Sequence, residues 1–249
     1  MQDFPQDDIQ LCPPGQTGIQ WDFRLLLTAA IAFVTGYILL PGVGRLFCES
    51  ASPEQMIFSV GGIFLSLASL LYTVRYMAGS WRAAAVMLDL KKLSVRDILL
   101  AWPLALLIAI TGSGLTILWT WLAGLAGIEF GLPPATSIMF NGSAWQIAAL
   151  IITATAAAPL FEEIVFRKAL CGALSRSCGY FPAVVLTAIV FGAMHFSWQQ
   201  LPGLIFFSIV WQLIYRRSGS LSTAVILHFF NNLFSVAMLL AVRCRGLDI

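Results

Sequence analysis

The sequence predicts an all-α fold, a polytopic transmembrane helical bundle of about seven to eight spans. Three observations predict it. Of 249 residues, 59% are hydrophobic and 10% charged, against about a quarter charged in a soluble globular domain, and the mean hydropathy is +0.86. Apolar runs long enough to cross a bilayer recur along the chain, and the basic residues are spread between them. No repeat, low-complexity tract or long linker divides the sequence, so residues 25–249 read as one membrane domain.

Residues 1–24 form a polar tail carrying Asp3, Asp7, Asp8 and Asp22. It has no basic start followed by an apolar core, so no cleavable signal peptide is expected and the first apolar run is a retained span. A helix crosses the hydrocarbon in about 20 residues. Runs of that order lie near 25–43, 57–76, 98–126, 145–166, 181–197, 202–215 and 222–242. The run from Ile98 to Ala126 exceeds one crossing and holds Pro103 and Gly112-Ser113-Gly114, which predicts a tilted or kinked helix, or two shorter pieces. Between the second and third runs, Trp81, Val86, Met87, Leu88 and Leu90 mix with Arg82, Lys91, Lys92 and Arg96. The stretch Trp81 to Asp97 reads equally as an interfacial helix with its basic side in water or as a solvated connector.

Cytoplasmic loops retain an excess of Lys and Arg. With the N-terminus inside, Arg24, Arg75, Arg82, Lys91, Lys92, Arg96, Arg167, Lys168, Arg176, Arg216 and Arg217 fall on or toward the cytoplasmic side, and Arg45, Arg243 and Arg245 outside. A cytoplasmic N-terminus is therefore expected. The net charge of +2 has no concentrated basic face, which sets nucleic-acid binding aside. Cys12, Cys48, Cys171, Cys178 and Cys244 show no Cys-x-x-Cys spacing, which argues against a zinc cluster or a disulfide framework and for buried or interfacial thiols.

Chemistry concentrates in the second half. Glu162 and Glu163 are the only acidic residues between Glu129 and Asp248, and they sit inside an apolar run. An ionised side chain in hydrocarbon costs several kcal/mol, roughly 2.5–3.5 on the lenient scales, so such residues pair, face a wet cavity and mark function. Glu163 and Arg167 stand four residues apart, acid before base, which lets Arg167 hold Glu163 ionised. Glu162, rotated about 100° on an ideal helix, is left to face something else. The two histidines, His195 and His228, also fall in apolar segments, where a lone histidine is more often structural. The same spacing sets Phe191 under His195 and Asn232 beside His228.

With Ser177 to Tyr180 as a turn, Glu162 and His195 both lie roughly 21–23 Å along their helices and so at one depth. His228 lies nominally nearer the opposite surface. The short run Leu201 to Tyr215 draws both histidines toward the middle. A converged set would have the parts of a hydrolase: a carboxylate that takes a proton from attacking water, an imidazole that orients the water or returns the proton, and an imidazole with a carboxamide for the oxyanion. The rival chemistry is metal binding, with Glu162, His195 and His228 suiting a zinc ion with one open position. His-Glu-x-x-His is absent, and a general base requiring no cofactor is the reading placed first. A serine mechanism lacks its Gly-x-Ser-x-Gly, and an aspartyl dyad lacks embedded aspartates, since Asp22, Asp89, Asp97 and Asp248 flank spans.

Glu162-Glu163-x-x-x-Arg167, then Phe191-x-x-x-His195, then His228-x-x-x-Asn232 resembles the three ordered motifs of the CAAX prenyl endopeptidase and bacteriocin-processing family (CPBP, or Abi) of intramembrane proteases. Each motif alone is weak, but all three in order on successive apolar segments are specific. The resemblance covers a protease-like core of about 145–240. It implies a membrane-embedded endopeptidase acting on a membrane-associated, prenylated or processed peptide. On matching positions, Glu162 would be the general base, Glu163 a supporting carboxylate tied to Arg167, and His195 a partner in water activation. His228 and Asn232 would form the oxyanion site, and Phe191 would pack beneath His195. Asn231 falls off the motif. With no soluble domain apparent, a multi-pass protein of a prokaryotic plasma membrane is expected; the substrate, cleavage site and oligomeric state are not specified by the sequence. Two other readings use the same residues: a non-catalytic adaptor or immunity protein that binds a partner through the polar cavity, and a small transporter with the two glutamates as proton carriers. Complete motifs weigh against the first, and the lack of paired broken helices in two related halves weighs against the second.

Overall fold

The computed structural model describes residues 23–48 and 52–245. Most of the polar tail, with Cys12, and the C-terminal residues with Asp248 lie outside the described residues. Helices α1 (Phe23–Phe33) and α2 (Leu40–Phe47) join through a π-helical stretch, Val34–Leu39; α3 (Pro53–Ala78) and the short α4 (Trp81–Met87) follow, then α5 (Val95–Leu125) and α6 (Pro134–Asn141). A single interrupted rod comes next: α7 (Ala144–Ile152), π-helical Thr153–Ala157, α8 (Ala158–Glu162), π-helical Glu163–Leu170 and α9 (Cys171–Cys178). Helices α10 (Tyr180–Ala193), α11 (Leu201–Ser218) and α12 (Leu221–Cys244) complete the bundle. Among the described residues there is no strand, as the predicted all-α bundle requires.

Helix ends follow local chemistry. Ser52 and Ser80 accept from the backbone N–H groups of Gln55 and Ala83, and Ser94 pairs with Asp97 in a capping box at the start of α5, each satisfying an otherwise orphaned donor. Gly79 and Gly219 end α3 and α11 in the left-handed region, at φ of 80° and 57°, where a Cβ is penalised. The predicted turn between Ser177 and Tyr180 is made at Gly179, φ 84°.

Among the described residues five helices are long and apolar enough to cross a membrane: 26–47, 55–78, 95–125, 144–178 and 221–244. Two of the seven predicted runs form shorter helices, α10 with 14 residues and α11 with 18. The long run is one continuous 31-residue helix through Pro103 rather than two pieces. The stretch Trp81 to Asp97 divides between surface and core. Trp81 and Val86 are exposed on α4, whereas Leu88 is buried in the core just after it.

The rod 144–178 is the centre of the molecule. In its most apolar window 61% is buried, against 17–22% in the four other spans. Helices α1, α3, α10 and α12 pack along it, α5 packs on α11 and α12, and α11 packs on α10 and α12. Small residues let the outer helices come close: a Cβ on Gly36 would stand 2.8 Å from the carbonyl oxygen of Gly62, and one on Gly203 2.8 Å from that of Gly112, the close approach typical of helices in lipid.

Candidate active site

The π-helical stretches shape the central rod. Their ends carry i to i−5 bonds, from Ala158 N–H to Thr153 O and from Cys171 N–H to Phe166 O. Pro159 explains the first, because its ring opposes the carbonyl four residues back, at Thr155, and it has no N–H to donate. Thr153 and Thr155 add side-chain bonds to the carbonyls of Ala149 and Ile151. No proline or glycine accounts for the second, Glu163–Leu170; it coincides with the buried charges, and such bulges are frequent at functional sites.

Glu163 is fully buried and Arg167 1% exposed. Arg167 Nε lies 3.0 Å from Glu163 Oε2, the pairing that the spacing predicts. The guanidinium also donates from Nη1 to Ser208 Oγ at 3.0 Å and lies over the rings of Phe191 and Trp211 at 4.9 and 5.6 Å. Glu163 Oε1 receives His228 Nδ1 at 2.9 Å. An ionised carboxylate only accepts, so Nδ1 of His228 carries the proton and Nε2 faces away. Glu162, 5% exposed, takes the other direction, as expected. Its Oε2 lies 3.8 Å from His228 Nε2, too far for a direct hydrogen bond and suited to a bridging water. Its Oε1 accepts from the hydroxyl of Tyr37 at 2.8 Å.

His195 lies in the turn beyond α10 and is half-buried. Its ring packs on Phe191 with centroids 4.7 Å apart, and Nδ1 lies 2.7 Å from the Phe191 carbonyl oxygen. That oxygen can only accept, so Nδ1 is protonated and Nε2 holds the lone pair. Phe191 is the hub: it also meets Phe166 at 5.1 Å, Trp211 at 6.1 Å and His228 at 6.3 Å. Both histidines therefore contact one aromatic ring. Asn232, half-buried on α12, donates to Ala154 O at 2.7 Å, which ties it to the central rod; Asn231, 4% exposed, donates to the Asn232 side-chain oxygen at 3.3 Å.

The structure thus joins Glu162, Glu163, Arg167 and His228, with His195 packed on Phe191 and Asn232 one turn along from His228. Three contributors carried no motif. Trp211 stacks on His228 at 4.1 Å, Ser208 receives Arg167, and Tyr37 reaches Glu162 from the first span. The one sequence signal near Tyr37 is Pro41, whose ring opposes the Tyr37 carbonyl and sits just past the π-helical stretch.

Arg167 and Lys168, counted above toward the cytoplasmic side, are both buried, and Lys168 is paired with Asp89. Tyr215 donates to the same carboxylate at 2.6 Å. The basic residues that bear on orientation are accordingly fewer. Cys48, Cys171, Cys178 and Cys244 are free thiols, one of them buried. Among the described residues no three His, Cys, Asp or Glu side chains are grouped so as to hold a metal ion. His228 spends Nδ1 on Glu163, and His195 turns its Nδ1 to a carbonyl.

With this geometry in hand, the comparisons with known proteins fall on the same segment. Residues 144–234 match the family model described as type II CAAX prenyl endopeptidase Rce1-like, which bears out the family resemblance of the three motifs. The chain is 28% identical over 89 residues to "Putative membrane peptidase YdiL" of Bacillus subtilis (strain 168), covering 36% of each chain. The chain thus spans about a third of the length of that relative. No solved structure matches. The apolar helices support an integral membrane protein, and residues 144–234 are similar to a family of membrane endopeptidases.

Proposed function

We propose that this protein is an intramembrane endopeptidase that hydrolyses a peptide bond in a membrane-associated or prenylated peptide. The observation that carries the proposal is the division of the buried carboxylate pair. Glu163 is held by Arg167 and His228, while Glu162 keeps an oxygen directed at the space before His228 Nε2. Water bound there gives a proton to Glu162 as its oxygen attacks the carbonyl carbon. His195, with its Nε2 lone pair, orients that water and passes the proton toward the leaving amine as the C–N bond breaks. His228 and Asn232 stabilise the oxyanion between these steps. In that role His228 keeps Nδ1 on Glu163 and turns Nε2 to the oxyanion. The family match supports proteolysis in general terms; these roles belong to the proposal.

The test compares membrane and secreted peptides of cells carrying active or Glu162→Ala protein, followed by cleavage of the identified product's parent by purified enzyme. Glu162→Ala or His195→Ala is expected to abolish cleavage in protein that still folds and inserts. Turnover retained by Glu162→Ala protein would sink the mechanism. Full biological rescue by the double variant Glu162→Gln, His195→Ala would point to the adaptor reading instead.

The general base is proposed to work without a bound metal. Activity is expected to survive exhaustive chelation in protein that elemental analysis shows to be zinc-free. Loss on chelation with recovery on adding zinc would establish the metal version.

A further inference from the structure

One ionisable side chain from outside the matched segment enters the site. Tyr37 lies in the π-helical stretch Val34–Leu39 and donates to Glu162 Oε1 at 2.8 Å. Its ring is held by two aromatic neighbours: it stacks with Phe33 at 4.6 Å and 10°, and with Phe161 at 5.5 Å and 15°, and those two rings lie 6.2 Å from each other. Phe161 directly precedes Glu162, so the same residues fix the phenol and the carboxylate backbone. The neighbouring Gly36 is locked against Gly62 of α3, which sets how deeply the first span sits.

We infer that Tyr37 is a positioning residue for Glu162, supplied by the N-terminal span to a core that spans 144–234. A terminal carboxylate torsion is broad and nearly two-fold, so a free glutamate would present either oxygen at many angles. With Oε1 bonded to the phenol, Oε2 is the oxygen left toward His228 Nε2, 3.8 Å away. The inference rests on the general-base reading of Glu162. It extends that reading by making the first span part of the active site, since Tyr37 donates to the base from outside the matched segment.

The experiment uses the full-length protein in detergent. Infrared difference spectra of wild type against Glu162→Gln isolate the Glu162 carboxyl band, with no substrate present. In Tyr37→Phe protein, which keeps the ring stacks, that band is expected to shift. On an internally quenched farnesyl-cysteine peptide with three residues after the cysteine, kcat is expected to fall about tenfold with KM within about twofold. The thermal unfolding midpoint, measured alongside, shows that the variant is folded. An unmoved band overturns the inference, as does an unchanged kcat. If Glu162→Gln itself turns over, the general-base reading fails, and the band shift still reports whether Tyr37 holds Glu162.

Discussion

At Arg167 one guanidinium meets three demands: it balances Glu163, donates to Ser208 and lies over Phe191 and Trp211. A planar fork suits all three, and a lysine ammonium suits only the first. Arg167→Lys is therefore expected to lower kcat by about tenfold to a hundredfold, the worth of one or two charge-assisted hydrogen bonds, and to leave measurable turnover where Glu162→Ala leaves none. Removing the charge altogether strands a buried carboxylate, for which the cost is about 3–5 kcal/mol of stability. Arg167→Met is accordingly expected to unfold at lower temperature than Arg167→Lys. The two histidines differ in the same local terms. A backbone carbonyl sets the tautomer of His195 and a carboxylate sets that of His228, so similar rings present Nε2 in different electrostatic surroundings.

At the scale of elements, the π-helical stretches explain how one rod carries so many polar groups. A wider turn changes which residues share a face and frees carbonyls, which Thr153, Thr155 and the cap bonds partly use. The first span owes its seat to Gly36, whose added Cβ would lie 2.4 Å from Ser66 Oγ and 2.8 Å from the Gly62 oxygen. Gly61, one residue away from that contact, faces open space. Gly36→Ala is thus expected to cost about 1–3 kcal/mol by overpacking and to reduce turnover by moving Tyr37. Gly61→Ala is expected to be neutral or slightly stabilising, as alanine favours a helix by about 1 kcal/mol over glycine. Unfolding midpoints of the two variants in one detergent, read beside their turnover, make the comparison.

For the whole molecule, the placement of basic residues bears on which end faces the cytoplasm. With Arg167 and Lys168 buried, orientation rests on Arg75, Arg82, Lys91, Lys92, Arg96, Arg176, Arg216 and Arg217, all on or beside loops. These gather where α3 leads into α4, at the start of α5, and at the α9–α10 and α11–α12 turns. Contacts tie the regions together: Leu221 N–H donates to Asp89 O, and Lys168 pairs with the Asp89 carboxylate. One basic end of the bundle is the result, and we propose that it is cytoplasmic, with the N-terminus on that side. Reporter fusions at the N-terminus and in the 88–94 loop are expected to read cytoplasmic; an external signal from either would reverse the assignment.

Much of the fold was legible in the sequence because hydropathy and span length are local properties that lipid enforces. The seven apolar runs become helices, Gly179 makes the turn, and the spacing of Glu163 and Arg167 becomes an ion pair. The motif residues were legible as well, since charges and histidines in apolar runs stand out against their surroundings. The π-helical geometry of Glu163–Leu170 was not, because it depends on how buried charges are packed and no proline marks it. Tyr37, Ser208 and Trp211 were not either: a tyrosine, serine or tryptophan in a membrane helix is unremarkable until a neighbour is known. By itself the sequence determined that a carboxylate pair lies within a helical membrane bundle and that Arg167 holds one member. Only the tertiary structure decided that His228 closes on both glutamates and that the first span reaches Glu162, because residues 125 positions apart meet through packing that no local pattern encodes.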